Sequence, residues 1–203
     1  MRPDLSDDDK RPIRSAAGRP RDGKIDAAII AATRDLVVET GYPGLSLAAI
    51  AARAGTTTAA IYRRWSGKAQ LVHEAILPNE GVIAPSASGD AVEDIRALVE
   101  ATRAMFDRPE VRIALPALIA DTVAEPDVHT QMIARFANSL APFRMRFDQQ
   151  SDRPTNPDDL PMLAEIVVGS AIFRILIRHD APLDQAWVDD LTTMITSGWT
   201  ALS

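Results

Sequence analysis

The chain has no cysteine, which rules out disulfides, thiol nucleophiles and thiolate metal sites. Aromatic residues make up only 5% of its 203 residues, while apolar residues in all reach 46%, so a core must be assembled mainly from aliphatic side chains. The longest apolar runs, Ile113 to Ala120 and Ile166 to Phe173, span 8 residues, far short of the roughly 20 that cross a bilayer. The opening stretch MRPDLSDDDK is charged and has no apolar core of a signal peptide; a cytoplasmic location without membrane contact is expected. No alternation of strand length appears, so the expected fold class is all-α. His73, His129 and His179 are far apart and lack metal-ligand spacing. Glycine-rich phosphate loops, Ser/His/Asp sets and paired carboxylates are missing too, so no catalytic residue, metal or cofactor is assigned and an enzyme is not expected.

The formal charge is −6, which by itself argues against nucleic acid. Its distribution argues the other way. From Lys10 to Lys68 there are 11 basic and 4 acidic residues, whereas from Ala69 to Ser203 there are 10 basic and 20 acidic ones. A basic end on an acidic body suggests that only the first part meets phosphates.

Within that basic part, GLSLAAIAARAGTTTAAIYRRWSGK from Gly44 to Lys68 reads as two short helices and a tight turn. Leu47, Ile50, Ala51 and Ala54 share one helix face. Ser46 is placed as an N-cap, and Gly55 as the left-handed residue of a sharp helix end. The second helix begins among Thr56, Thr57 and Thr58 and turns Ile61 and Trp65 inward. This is a helix-turn-helix, whose second helix enters the major groove. Thr57, Thr58, Ala59, Tyr62 and Arg63 then face outward. Thr58 suits a base edge or phosphate, Ala59 and Ala60 suit thymine methyls, and the Arg63 fork fits guanine or a phosphate. Ser46, and Lys68 at the start of the next helix, sit where free N–H groups attract phosphate.

These residues resemble the TetR/AcrR family of bacterial transcriptional regulators. The likeness runs from Gly18-Arg19-Pro20-Arg21 through Ile29, Ala32, Leu36, Glu39, Gly41-Tyr42, Ser46, Ile50-Ala51, Ala54-Gly55, Ile61-Tyr62, Trp65 and Gly67-Lys68 to Leu71 and Ala75. It implies a phosphate contact for Tyr62, a dimer through the last two helices, and an effector cavity in the C-terminal part. Candidate lining residues for that cavity are Met105, Phe106, Leu115, Leu118, Ile119, Thr122, Met132, Phe136, Phe143, Ile166, Ser170 and Phe173. The GRPR run, with Arg14 and Lys24 nearby, is similar to the core of an AT-hook lying in a minor groove. It reads equally well as a plain basic tail.

The rest of the chain divides as follows. Residues 1–17 form a charged arm without apolar period, and 18–80 the helix-turn-helix domain. Residues 81–89 are a linker, and 90–203 a helical ligand-binding and dimerisation domain. A helix should run from about Gly23 to Thr40 with Ile25, Ile29, Ala32 and Leu36 on one face, ending at Gly41. A fourth helix should carry Leu71, Val72, Ala75 and Ile76 inward. Asp90 and Glu93 form a capping-box-like start for a helix burying Ile95, Leu98, Val99, Thr102 and Phe106. Pro109 and Pro126 open further helices of about 109–124 and 126–147, which Pro116 and Pro142 should kink or break. Residues 148–158 read as a loop, followed by helices of about 160–179 and 184–201. The first of these is apolar on nearly all sides, from Leu163 through Ile172 and Ile175 to Ile177, and so must be covered twice, once by its own domain and once by a second subunit. Arg174 inside it needs a partner, expected to be a carboxylate or an interface group.

The function expected is a homodimeric regulator, a repressor, that binds a palindromic operator in double-stranded DNA and is released by a small apolar effector. A helical-bundle enzyme or small-molecule carrier retaining a DNA-binding head is the alternative. An architectural binder would not need the 114 residues after Gly89.

Overall fold

The computed structural model describes residues 23–77, 88, 90–134, 137, 159–178 and 180–201. The arm with Arg14, Arg19 and Arg21, most of the linker, the 148–158 loop, and Phe136, Pro142, Phe143 and His179 lie outside them.

Among the described residues the protein is helical throughout, with no strand. The order is α1 Gly23–Gly44, α2 Leu47–Arg53, α3 Thr58–Tyr62, α4 Lys68–Ile76, α5 Ala91–Asp107, α6 Pro109–Ala124, α7 over residues 126–134, α8 Asp159–Leu176 and α9 Gln185–Ala201. Helix α1 buries Ile29, Ala32, Thr33, Leu36 and Val37 along one side. At Gly41, φ is +70°, and a last short turn with Pro43 follows. The expected stop is therefore a break in direction at the expected residue. Helix α1 packs on α2 and α4, and α2 on α3. In the later part, α5 packs against α6, α8 and α9. Helix α6 also lies across α1 and α4, so one apolar core continues from the first helices into the last.

Local signals explain the ends of these helices. Asp90 accepts hydrogen bonds from Val92 N at 2.7 Å and Glu93 N at 3.2 Å and so caps α5. Inside α5, the buried Asp94 carboxylate accepts from Ser88 N at 2.7 Å. Pro109 occupies the first turn of α6, where its missing N–H is no loss. Pro116 does not break that helix, contrary to expectation. It sits on the exposed side of a continuous element, where water reaches the carbonyl that its ring leaves without a donor. Leu183 and Trp187, 5% and 4% exposed, anchor the α8–α9 connection, and Asp184 caps α9 by accepting from Trp187 N at 2.9 Å.

Helix α8 has two distinct sides. Leu163, Ala164, Val167 and Ala171 are buried against the rest of the chain, with Ile172 and Ile175 partly buried beside them. Met162, Ile166, Phe173 and Ile177 are 62%, 47%, 53% and 64% exposed. With Gly169 these recur at helical spacing and form one apolar stripe open to solvent. The outward side is thus Ile166 and Phe173 rather than Ile172 and Ile175. The Arg174 guanidinium donates to the Pro182 carbonyl at 2.6 Å, so its partner is a main-chain oxygen of the α8–α9 connection rather than the expected carboxylate.

The turn after α2 depends on one glycine. Gly55 has φ +64°, while Thr56 N donates to Ala51 O at 2.9 Å and Gly55 N to Ala52 O at 3.3 Å. That pair of bonds is the Schellman arrangement, which needs a left-handed residue. A methyl at Gly55 would meet nothing within 4 Å, so only backbone strain opposes it. Gly55→Ala is therefore expected to destabilise the protein by about 1–2 kcal/mol, measured as a lower urea midpoint at unchanged slope. An unchanged midpoint would refute the strain argument.

Candidate nucleic-acid interface

The first short helix is capped by Ser46 as its sequence suggests, and of the three threonines before the second it is Thr57 that caps it. Ser46 Oγ accepts from Ala49 N at 3.1 Å and Thr57 Oγ1 from Ala60 N at 3.2 Å. Both hydroxyls therefore hold helix ends in place. Ile50, Ala51, Ile61 and Trp65 are 0–4% exposed, and small Ala51 lets α2 and α3 approach closely. The faces left outside are Ala48, Ala49 and Ala52 on α2, and Thr57, Thr58, Ala59, Tyr62 and Arg63 on and beside α3. Tyr62 is 60% exposed. Ala60 is only 6% exposed; it lies next to Ile61 on the inner side, so it cannot meet a base as expected.

The arginines here have different tasks. Arg64 pairs with Asp26 of α1 and donates to Ala60 O at 2.9 Å, which clamps the end of α3 to α1. Arg53 grips Glu39 with two bonds of 2.5 and 2.8 Å, and the guanidinium holds the Glu39 carboxyl below its ordinary range. Arg34 donates to Ala75 O at 2.6 Å. Among the described arginines of α1–α4 and their turns, Arg63 alone has no partner within the chain. It is exposed at the C-terminal end of α3.

Lys68 is not the free phosphate-seeking group expected. Its Nζ donates to Tyr42 O at 3.2 Å and lies 4.3 Å from the centre of the Tyr42 ring. The ring face and the carbonyl, which also accepts from Leu45 N at 3.3 Å, hold the ammonium against Tyr42. The main-chain N–H groups at the start of α4 remain there, and Gly67 brings no side-chain cap.

Sequence reasoning missed what Tyr42 does. Its hydroxyl donates to the Asp121 carboxylate of α6. Burial, then that bond and the charges of Asp121 and Glu125, push the phenol above its ordinary pKa. Gln70 of α4 donates to Gln131 of α7 at 2.9 Å, and Arg108 to Ile76 O at 3.3 Å. A cleft of about 260 Å³ between Tyr42, Gly67, Lys68, Gln70, Asp121 and Glu125 marks this junction. The only advance signal was polar residues at unconnected positions, which no sequence period relates.

The residues expected to line an effector cavity are mostly core. Met105, Phe106, Leu115, Leu118 and Thr122 are buried and Met132 is half-buried. Thr122 donates to Leu118 O at 2.7 Å and approaches the Met132 sulfur at 3.6 Å. Ser170 donates to Val167 O at 2.9 Å. Ile166 and Phe173, also expected to line the cavity, lie instead on the exposed stripe of α8, because their place in the helical repeat turns them away from the core.

The family model described as bacterial regulatory proteins, tetR family, matches residues 29–75, and that of the tetracyclin repressor-like C-terminal domain matches residues 85–195. Similar proteins include YdeS of Bacillus subtilis (strain 168), an uncharacterized HTH-type transcriptional regulator. It is 27% identical over 200 residues, covering 94% of this chain and 98% of that protein. Another uncharacterized HTH-type transcriptional regulator, Rv1556 of Mycobacterium tuberculosis (strain ATCC 25618 / H37Rv), is 26% identical over 186 residues, or 89% and 90% of the two chains. Among solved structures, the TetR family transcription regulator SCO0332 superposes with a TM-score of 0.66 at 26% identity, covering 86% of this chain and 98% of that one. Bacillus subtilis FadR in complex with stearoyl-CoA shares the fold, with a TM-score of 0.56 at 14% identity over 85% and 98% of the chains.

Proposed function

Because the chain belongs to the tetR family of bacterial regulatory proteins, and is thus a DNA-binding transcriptional regulator, we propose that it is a homodimeric repressor released by a small apolar effector. Its target is a palindromic operator. Residues 18–80 form the head, 81–89 the linker and 90–203 the body. The observation that carries this reading is the outward face of α3. Thr58, Ala59, Tyr62 and an unpartnered Arg63 are held outside a fully packed helix-turn-helix.

In this reading, Thr58 and Ala59 enter the major groove, while Tyr62, Arg63 and the N-terminal N–H groups of α4 take phosphates. Thr57 and Ser46 position their helices through their caps, and each hydroxyl keeps its O–H proton to donate to a phosphate. Arg19 and Arg21 of the arm add affinity for the backbone or the adjacent minor groove. The exposed stripe of α8 pairs with its copy and with α9, placing two recognition helices in successive grooves about 34–36 Å apart or somewhat more. The effector is held among Met105, Phe106, Leu118, Thr122, Met132 and Phe136. It favours a body conformation whose α6 shifts α1 and α4, so that DNA affinity falls by the ratio of its affinities for the two states.

The test is footprinting on a selected palindrome, repeated with apolar ligands. Protection of two half-sites that a ligand relieves is the expected result, and uniform protection of any duplex would reject the reading. Arg63 lies at the far end of α3 from the base-reading turn, so Arg63→Ala should weaken operator and scrambled DNA alike and reduce the salt slope by roughly one unit. Relaxed sequence preference, read by titrating both duplexes at two salt concentrations, would instead place Arg63 on a base.

A further inference from the structure

Helix α3 has only 5 residues, and in this kind of docking the residues at its N-terminal end meet base edges. That end has few groups free to hydrogen-bond. The Thr57 hydroxyl accepts from Ala60 N at 3.2 Å, which fixes its rotamer and leaves it one O–H proton, a donor that any acceptor on a base or phosphate can take. Ala60 and Ile61 are buried, which leaves Thr58 and Ala59, both exposed. From Thr57 to Tyr62 no Arg, Lys, Asn, Gln, Asp or Glu occurs. Those are the side chains that bond purines bidentately or accept from cytosine. The Thr58 hydroxyl both donates and accepts, so it satisfies any base edge and rejects none. The groups that discriminate are two methyls, the Ala59 Cβ and the Thr58 Cγ2. In the major groove only thymine presents a matching methyl.

Building on the DNA reading proposed above, we infer that the first turn of α3 reads its half-site through thymine C5-methyl groups, with a thymine against Ala59, and that discrimination there does not run through hydrogen bonds. The operator is then thymine-bearing at the centre of each half-site, and substitutions that preserve the methyl are tolerated better than those that preserve the hydrogen-bond pattern.

The experiment selects bound duplexes from a random pool with the full-length protein. Each thymine of the selected half-site is then replaced by deoxyuridine, which keeps every hydrogen-bonding group and removes only the methyl. At the Ala59 position the expected loss is about fourfold per half-site, hence roughly fifteenfold when both half-sites are changed, the value of burying one methyl-sized group at each. 5-Methylcytosine paired with guanine at that position should bind better than cytosine. In Ala59→Gly the deoxyuridine penalty should vanish. This ratio is insensitive to any weakening of the short helix, which would lower both affinities together. Thr58→Ser is the corresponding probe for the neighbouring thymine.

A selected palindrome indifferent to deoxyuridine overturns this inference and leaves the regulator reading standing. The inference is also overturned by a half-site without thymine in its contacted centre, or by a penalty retained in both Ala59→Gly and Thr58→Ser. Absence of any enriched sequence overturns the operator reading and this inference together.

Discussion

Ile166→Asp and Phe173→Asp are each expected to leave the protein monomeric while helix content and subunit stability stay close to wild type. Both side chains are about half exposed in the single subunit, at 47% and 53%, so neither charge disturbs a subunit standing alone. In a twofold dimer built on α8 and α9 each substitution occurs twice. Every carboxylate is then buried without a partner, at about 3 kcal/mol each, which together raises the dimer Kd by roughly four orders of magnitude. Val167→Asp is the contrasting variant. Val167 is 0% exposed, so a charge there should unfold the subunit rather than separate it from its copy. Sedimentation equilibrium at micromolar concentration, with circular dichroism on the same samples, distinguishes these outcomes. A monomeric wild type, or variants that remain dimeric, would refute the α8 interface.

The α8 stripe also shows how far the sequence could be read. Apolar residues on all sides of the helix revealed that it must be covered twice, and their period alone could not say which side met the subunit's own core. Ile172 and Ile175 looked suitable for the second subunit, while Ile166 and Phe173 stood among the expected cavity-lining residues. The choice follows from where α5 lies, a tertiary fact. The same holds at the interface with DNA. The caps at Ser46 and Asp90, the left-handed Gly55 and the inward Ile61 and Trp65 were legible because each depends on neighbours within a few residues, whereas three successive threonines left open which of them caps α3. The pairing of Tyr42 with Asp121, and the capture of Lys68 by Tyr42, depend on chain segments 79 and 26 residues apart. No local pattern encodes them. No local feature distinguishes Arg64 from Arg63; only the position of Asp26 on α1 shows that one arginine is a clamp and the other is free.

That junction bears on the last expectation, that Trp65→Ala abolishes operator binding while the dimer survives. Trp65 is 4% exposed and closes the core under α3. Truncating a buried tryptophan costs about 3–5 kcal/mol. The head is short and has a correspondingly thin margin of stability, so this loss is comparable to all it has. With α3 no longer held against α1, Thr58, Ala59 and Arg63 lose their common orientation, and only non-specific affinity should remain. The main packing of α8 and α9 is against α5, and none of the exposed α8 stripe depends on Trp65. Sedimentation should therefore still report a dimer, and urea unfolding should split into an early loss of part of the helix signal and a later transition near the wild-type midpoint. Opposing this, α6 packs directly on α1 and α4, and Tyr42 to Asp121, Gln70 to Gln131 and Arg108 to Ile76 cross the boundary. Polar bonds of this kind contribute about 0.5–1.5 kcal/mol apiece. They add to the apolar contact of α6 on α1 and α4, part of one continuous core, so the split requires that α6 keep its packing on α5 when that contact loosens. A single transition in which the helix signal and the dimer are lost at one lowered midpoint would show instead that the junction fuses them into one cooperative unit, and the division at residues 81–89 would then have to be abandoned.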